Sequence, residues 1–236
     1  MNWKTMIPRP IKSFIFSSAS RIAPTKFKYN SELNYWQRQW ENEGNTLKND
    51  HYEKILLAMA EEQNDKFLNG KIVVDFGCGP RGSLCWAKSA RMRIGIDILA
   101  DQYSRFNIVS HDICYICSTE KSIPLPSNYA DFVFTLNAMD HVSNFKSMCK
   151  ELLRILAPGG EFIGSFSLEE SGTFAEPQIL TEKLVKKHLL DFLEIKSYRI
   201  APPGPRGDAY CHFLDGSPAP MKGHRYLWVR ACVVER

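Results

Sequence analysis

The ten residues VVDFGCGPRG, Val73 to Gly82, constrain this chain more than any other stretch. Three glycines crowded around a proline and an arginine carry a high cost in backbone entropy. A turn of that composition exists to bend sharply or to let a ligand approach the main chain. Turn chemistry at Asn69-Gly70 precedes it, and Lys71 to Asp75 reads as a short buried strand running into the glycines, with a helix expected to follow. In an open α/β sheet, ligands sit beyond the carboxyl ends of the strands, where the strand order reverses, so this first turn is the expected binding place. Gly77, Gly79 and Gly82 fit GxGxxG, and Asp97 stands 20 residues beyond Gly77, which is also the spacing of an NAD site. Asp75 points the other way, because a carboxylate at the turn repels a diphosphate and welcomes a cation.

The rest of the chain alternates in the same sense. Leu33, Trp36 and Trp40 lie at helical spacing from Ser31 to Trp40. Asp50 is placed to cap a second helix carrying Tyr52, Ile55, Leu56 and Met59. After the glycine turn come the strand RIGIDIL ending at Asp97, a short connection, and the strand ICYIC opening a proline-punctuated loop. ADFVFTLNAMDHV follows as another buried strand. Phe145, Met148, Cys149, Leu152 and Leu156 line a helix that stops at Ala157-Pro158-Gly159-Gly160. Strand 161–167, helix 180–190, strand 192–200, a polar loop 201–225 and strand 226–234 complete the pattern, which predicts a mainly parallel sheet covered on both faces. Three regions result: a basic arm over 1–30, helices over 31–70 that pack or form a lid, and one domain over 71–236.

No apolar run approaches the roughly 18 residues of a membrane span, so a soluble chain is expected. Seven scattered cysteines suggest a reducing compartment, the cytoplasm by default. Cys114 and Cys117, three apart on a strand, point to opposite faces and are expected to be buried structural residues rather than a metal pair. The net charge of +4 is uneven: residues 1–31 hold Lys4, Arg9, Lys12, Arg21, Lys26 and Lys28 and no acid. Mixed with Trp3, Phe14, Ile15 and Phe16, and interrupted by Pro8, Pro10 and Pro24, this arm suits a strap on the domain or a contact with anionic lipid.

VVDFGCGPRG resembles the first motif of the class I S-adenosylmethionine-dependent methyltransferases, with its acid two residues before the first glycine. The resemblance extends over STEKSIPLPSNYADFVF, LNAMDHV and LLRILAPGGEFIGSF. It implies a Rossmann-like fold, a seven-stranded sheet with an antiparallel last strand, and S-adenosylmethionine as cofactor, leaving S-adenosylhomocysteine. By the same resemblance, Asp75, Gly77, Cys78 and Gly79 approach the methionine and ribose portion. Asp97 takes both ribose hydroxyls with Ile98 beside it, Thr119 or Glu120 meets the adenine edge, and Asn137 lies near the cofactor. Gly82 comes one position later than the family's tight spacing.

Methyl transfer needs alignment above all, and a hydroxyl acceptor also wants a base. His141, after the fourth strand, and Tyr210 and His212, in the long loop, are the candidates. Arg206, Asp208, Asp215, His224 and Arg225 share that loop, and 169–181 borders the same cleft. Asp140 with Asp208 or Asp215 has no ligand spacing for a cation, so no metal is expected. The acceptor expected is a small molecule or glycan, such as a lipid-linked sugar or quinone precursor. The Asn-Pro-Pro-aromatic motif of amino-directed nucleic-acid methyltransferases is missing, which argues against nucleic acid. The alternatives are an NAD-dependent oxidoreductase and a methyltransferase-like binding subunit without activity, since fold does not settle chemistry.

Overall fold

The computed structural model describes residues 24–173, 176–205, 208–212 and 223–234. Most of the basic arm, with Arg206 and Asp215, lies outside them. Helix α1 runs over Pro24–Asn42 and α2 over His51–Ala60. The strands are β1 Ile72–Phe76, β2 Met92–Asp97, β3 Cys114–Cys117, β4 Ala130–Leu136, β5 Leu156–Leu168, β6 Glu194–Ala201 and β7 Arg225–Cys232. Helix α3, Phe145–Ile155, joins β4 to β5, and α4, Glu182–His188, joins β5 to β6.

The seven strands form one sheet in the order β3-β2-β1-β4-β5-β7-β6, with β7 antiparallel to both neighbours. The order reverses between β1 and β4, whose ends align through Phe76 opposite Thr135, while Phe76 also faces Ile96 of β2. A crevice therefore opens where the glycine turn leaves β1. Alternation along β1 sends Ile72, Val74 and Phe76 into a core with Phe145, Met148 and Leu152 of α3 and Val185 of α4. Val73 faces the other way, with Phe132, Phe134, Ile55, Leu56, Met59 and Leu84. Both faces are covered. A third cluster packs Tyr29, Leu33, Trp36 and Trp40 of α1 on Leu99, Ala100, Tyr103 and Phe106.

Several expectations change. Helix α1 begins at Pro24 rather than Ser31, because proline in the first turn has no amide hydrogen bond to lose. Asp50 stands at the start of α2 but makes no side-chain cap. No helix follows the glycine turn: 83–90 is a run of tight turns, with Cys85 N bonded to Gly82 O at 3.0 Å and Ala87 N to Leu84 O at 3.1 Å. Ser89 anchors that run by donating its N–H to Asp65 Oδ2 at 2.8 Å. The connection after Asp97 is a pair of 3₁₀ turns, Ala100–Phe106 and Ile108–His111, that bury Tyr103 and Phe106. Strand β5 starts at Leu156, so that residue pairs with Ala130 instead of closing the helix. Neither Cys114 nor Cys117 is fully buried: on the short edge strand β3, Cys114 is exposed and Cys117 half-buried against the third cluster. Among the described residues no helix is long and apolar enough to cross a membrane.

Leu152 is fully buried between α3 and the sheet. Leu152→Ala is expected to cost about 2–5 kcal/mol in denaturant unfolding, and a loss below about 1 kcal/mol would mean that α3 packs loosely.

Candidate active site

The glycine turn is fixed by its own backbone geometry. Gly77 has φ +72°, and a Cβ there would come within 2.2 Å of Ala138 Cβ, in the loop after β4. Gly79 has φ +57°, and a Cβ there would meet the Trp36 ring at 2.8 Å. Only glycine fits at either position. Gly77 N donates to Ile96 O at 2.8 Å, which pins the turn to β2, and Cys78 is buried behind it.

Asp97 joins the two strand ends. Its Oδ2 accepts from Gly79 N at 3.1 Å and its Oδ1 from Leu99 N at 2.9 Å. The Tyr103 hydroxyl bonds the same carboxylate, so only part of its acceptor capacity is left for a ligand. The carboxyl is buried, and burial pushes its pKa up. Ile98 follows, and its carbonyl accepts from Cys117 Sγ at 3.2 Å. Asp75 lies beneath the turn, its Oδ2 taking the Ser83 hydroxyl. Burial pushes the Asp75 carboxyl up to about 7, against the Ser83 bond and with the Asp97 charge adding.

On β4's exit, Asn137 adopts φ +47°, and its N–H is shared between Ser165 O at 3.0 Å and Ser165 Oγ at 3.2 Å. Its Nδ2 reaches Tyr210 Oη at 3.3 Å, so the long loop does return to this mouth. Tyr210 packs on Trp228, and His212 follows two residues on, half-buried. His141 sits between two acids, its Nε2 3.9 Å from Asp140 Oδ1 and 3.8 Å from Glu176 Oε1. The loop bearing Glu176 is stitched on by Gln178, whose N donates to Asp140 O at 3.2 Å and whose Nε2 donates to Ser143 O at 3.1 Å. Asp140, His141 and Glu176 each bring a donor atom within 4.8 Å of the others. Among the described residues this grouping replaces the Asp140–Asp208 pairing weighed from the sequence.

Thr119 and Glu120 separate in role. Thr119 Oγ1 accepts from Lys121 N at 3.2 Å and Ser122 N at 2.9 Å, closing its own exposed turn. Glu120 Oε1 instead accepts from Tyr29 Oη of α1 at 2.6 Å. Burial works against its charge, yet bonds from Ser143 and Tyr29 and the Lys28 ammonium hold its carboxyl below the usual range.

Helix α1 supplies residues that no motif marks. Lys28 is buried and donates to His141 O, and burial draws its ammonium pKa down against Glu120, Glu32 and Asp140. Burial, with the Asp97 charge adding, pushes the Glu32 carboxyl up to about 7, while His141 and Lys28 oppose the shift. The signal was spacing: Lys28, Glu32 and Trp36 recur at i, i+4 and i+8 and share one helix face. Trp36, Trp40 and Leu33 are packed, as expected of a core helix, yet the same helix roofs the cleft.

These residues fit S-adenosylmethionine. Among the described residues Asp75 Oδ1 and Asn137 Oδ1 are buried acceptors without a donor, on either side of Gly77. A ligand ammonium would remove the cost of burying them unpaired. Dinucleotide binding fits less well, because the pyrophosphate site of such folds is a helix N-terminus and turns stand there instead.

Residues 74–164 match the family model described as "Methyltransferase domain". A malonyl-[acyl-carrier protein] O-methyltransferase of Yersinia pestis is 29% identical over 136 residues, 56% of this chain and 49% of that protein. A sterol 24-C-methyltransferase of Pneumocystis carinii is 23% identical over 152 residues, 58% of this chain and 40% of that one. This chain thus spans half or less of the length of the curated relatives it matches. A SAM-dependent methyltransferase from Aquifex aeolicus shares the fold with a TM-score of 0.54 at 19% identity, covering 78% of this chain and 89% of its own. The matched span begins inside β1 and ends inside β5, so the strands that build the cleft are the ones this family model describes, and that part of the chain is similar to a methyltransferase domain.

Proposed function

We propose that this chain transfers the methyl group of S-adenosylmethionine to a hydroxyl of a small-molecule or glycan acceptor. The observation that carries this reading is the imidazole of His141 held between Asp140 and Glu176, at the mouth that Asp97 and the glycine turn also line. The bound cofactor supplies a methyl on a sulfonium, an already good leaving group. The protein's residues then have two tasks. Asp97 and the turn fix the nucleoside, and alignment of this kind is worth roughly 7–11 kcal/mol. His141 receives the hydroxyl proton as the new carbon–oxygen bond forms, and the two flanking carboxylates stabilise the resulting imidazolium. Tyr210, bonded to Asn137, stands on the acceptor side, with His212 two residues on.

The relatives' names describe one oxygen-directed and one carbon-directed enzyme, so they support methyl transfer without choosing the atom. A base flanked by carboxylates favours oxygen, since a carbon nucleophile needs no hydroxyl proton removed. A basic arm would suit an acceptor held at a membrane, such as a lipid-linked sugar.

Asp97→Asn, which keeps the shape and one acceptor oxygen, is expected to weaken S-adenosylmethionine binding at least tenfold, or about 1.4 kcal/mol, in calorimetric titration, with circular dichroism unchanged. Wild-type affinity in this variant would remove Asp97 from the site. His141→Gln should lower turnover by about 10²–10⁴ while leaving cofactor Kd within about twofold, measured by labelled-methyl transfer to a panel of sugars, phenols and acids. Cofactor binding with no transfer to any acceptor would favour the non-catalytic binding subunit.

The acids near 7 add a pH dependence. Asp75 and Glu32 are partly protonated in the free protein near neutrality, and a cationic ligand favours their ionised forms. Binding should therefore release protons, and affinity should rise as pH goes from about 6 to about 8. Calorimetry in buffers of different ionisation enthalpy measures the release, which Glu32→Gln should reduce. In the free protein these raised pKa values mean that stability falls as pH rises from the ordinary carboxylate range to about 7.

A further inference from the structure

We infer that Arg81, which stands between the second and third glycines of the turn, is a positioning residue that latches α1 over the cofactor cleft through Glu43. The inference rests on the reading of the cleft as a S-adenosylmethionine site. Arg81 leaves the turn between Gly79 and Gly82 and reaches the residue just past the end of α1. Its Nη1 donates to Glu43 Oε2 at 2.8 Å and its Nη2 to Glu43 Oε1 at 2.5 Å, a two-point fork. Nη1 also donates to Lys48 O at 2.8 Å, and Lys48 N returns a bond to Glu43 Oε2 at 2.8 Å. The guanidinium carbon lies 5.7 Å from the centre of the Trp36 ring. Side-chain exposures of 12% for Arg81 and 20% for Glu43 put the pair out of reach of most screening.

The turn that carries Arg81 requires glycine at its end. Gly82 has φ +78°, and a Cβ there would meet Cys85 Sγ at 2.7 Å and His111 Nδ1 at 2.8 Å. Arg81 therefore precedes a position that only glycine fits. At the other end, α1 is held by Lys28 on His141 O and Tyr29 on Glu120. Between these anchors Trp36 lies against Gly79, the backbone the cofactor must approach. Entry and exit therefore require α1 to move, and without the fork its C-terminal half is held by the packing of Trp36 and Trp40 on Leu99, Tyr103 and Phe106. The roof is closed by a polar clasp placed away from the reacting atoms, so it governs retention of the cofactor rather than the transfer step.

The test is stopped-flow release and calorimetric affinity of S-adenosylmethionine for the full chain and for Arg81→Lys, Glu43→Gln and the double variant. Lysine cannot make the fork, and glutamine keeps the shape without the charge. Each single variant should release the cofactor about tenfold faster and bind it correspondingly more weakly. The double variant should be no worse than either single one, as a shared contact requires. Melting temperatures should stay within a few degrees, and turnover at saturating cofactor within about twofold. If Arg81→Lys melts early, Glu43→Gln decides alone. Wild-type release and affinity in Glu43→Gln, or additive effects in the double variant, would overturn the latch. Failure of the unmodified chain to bind S-adenosylmethionine would instead overturn the reading of the cleft beneath it.

Discussion

The carboxylate of Asp97 is the constraint on which the rest depends. By accepting one N–H from Gly79 and one from Leu99, it joins the end of β2 to the turn that leaves β1 and to the 3₁₀ turn that carries Tyr103 and Phe106. Those two aromatics then form the apolar bed on which α1 lies. A single buried acid thereby sets the floor, one wall and the roof support of the cleft. Burial raises the pKa of Asp75 and of Glu32, and the charge of Asp97 adds to both shifts, so the same residue contributes to the electrostatics of the pocket.

Much of this was legible because the residues concerned have few alternatives. Positive φ at Gly77 and Gly79, with side chains where a Cβ would sit, leaves glycine alone, and the density of glycine announced the turn. The sheet was readable because parallel strands buried on both faces are short apolar runs, and β1, β2 and β4 are all of that kind. The helix expected after the turn failed to form where Ser83 reaches back to Asp75 and Ser89 is tied to Asp65, contacts between segments that no local pattern reports.

The site was legible only on its cofactor side. Asp97 and Asn137 end strands, so topology alone brings them to the crevice. Glu176 reaches His141 from a loop whose path is set by Gln178 bonding to the backbone of Asp140 and Ser143, and no spacing in the sequence encodes that. Glu32 was hidden for a different reason. Beginning the first helix at Ser31 put this acid in the first turn, where it looks like an ordinary complement to the helix dipole. Extending the helix back to Pro24 places it mid-face between Lys28 and Trp36.

The crowd of carboxylates around the cleft also bears on how the reaction ends. Glu32, Asp75, Asp97, Asp140 and Glu176 gather within it, against Lys28 and His141. A sulfonium donor carries one positive charge more than the thioether it becomes. Acids that draw the donor in thus lose part of their hold once the methyl group has gone, and the charge of the pocket itself favours exchange of spent for fresh cofactor whenever α1 opens.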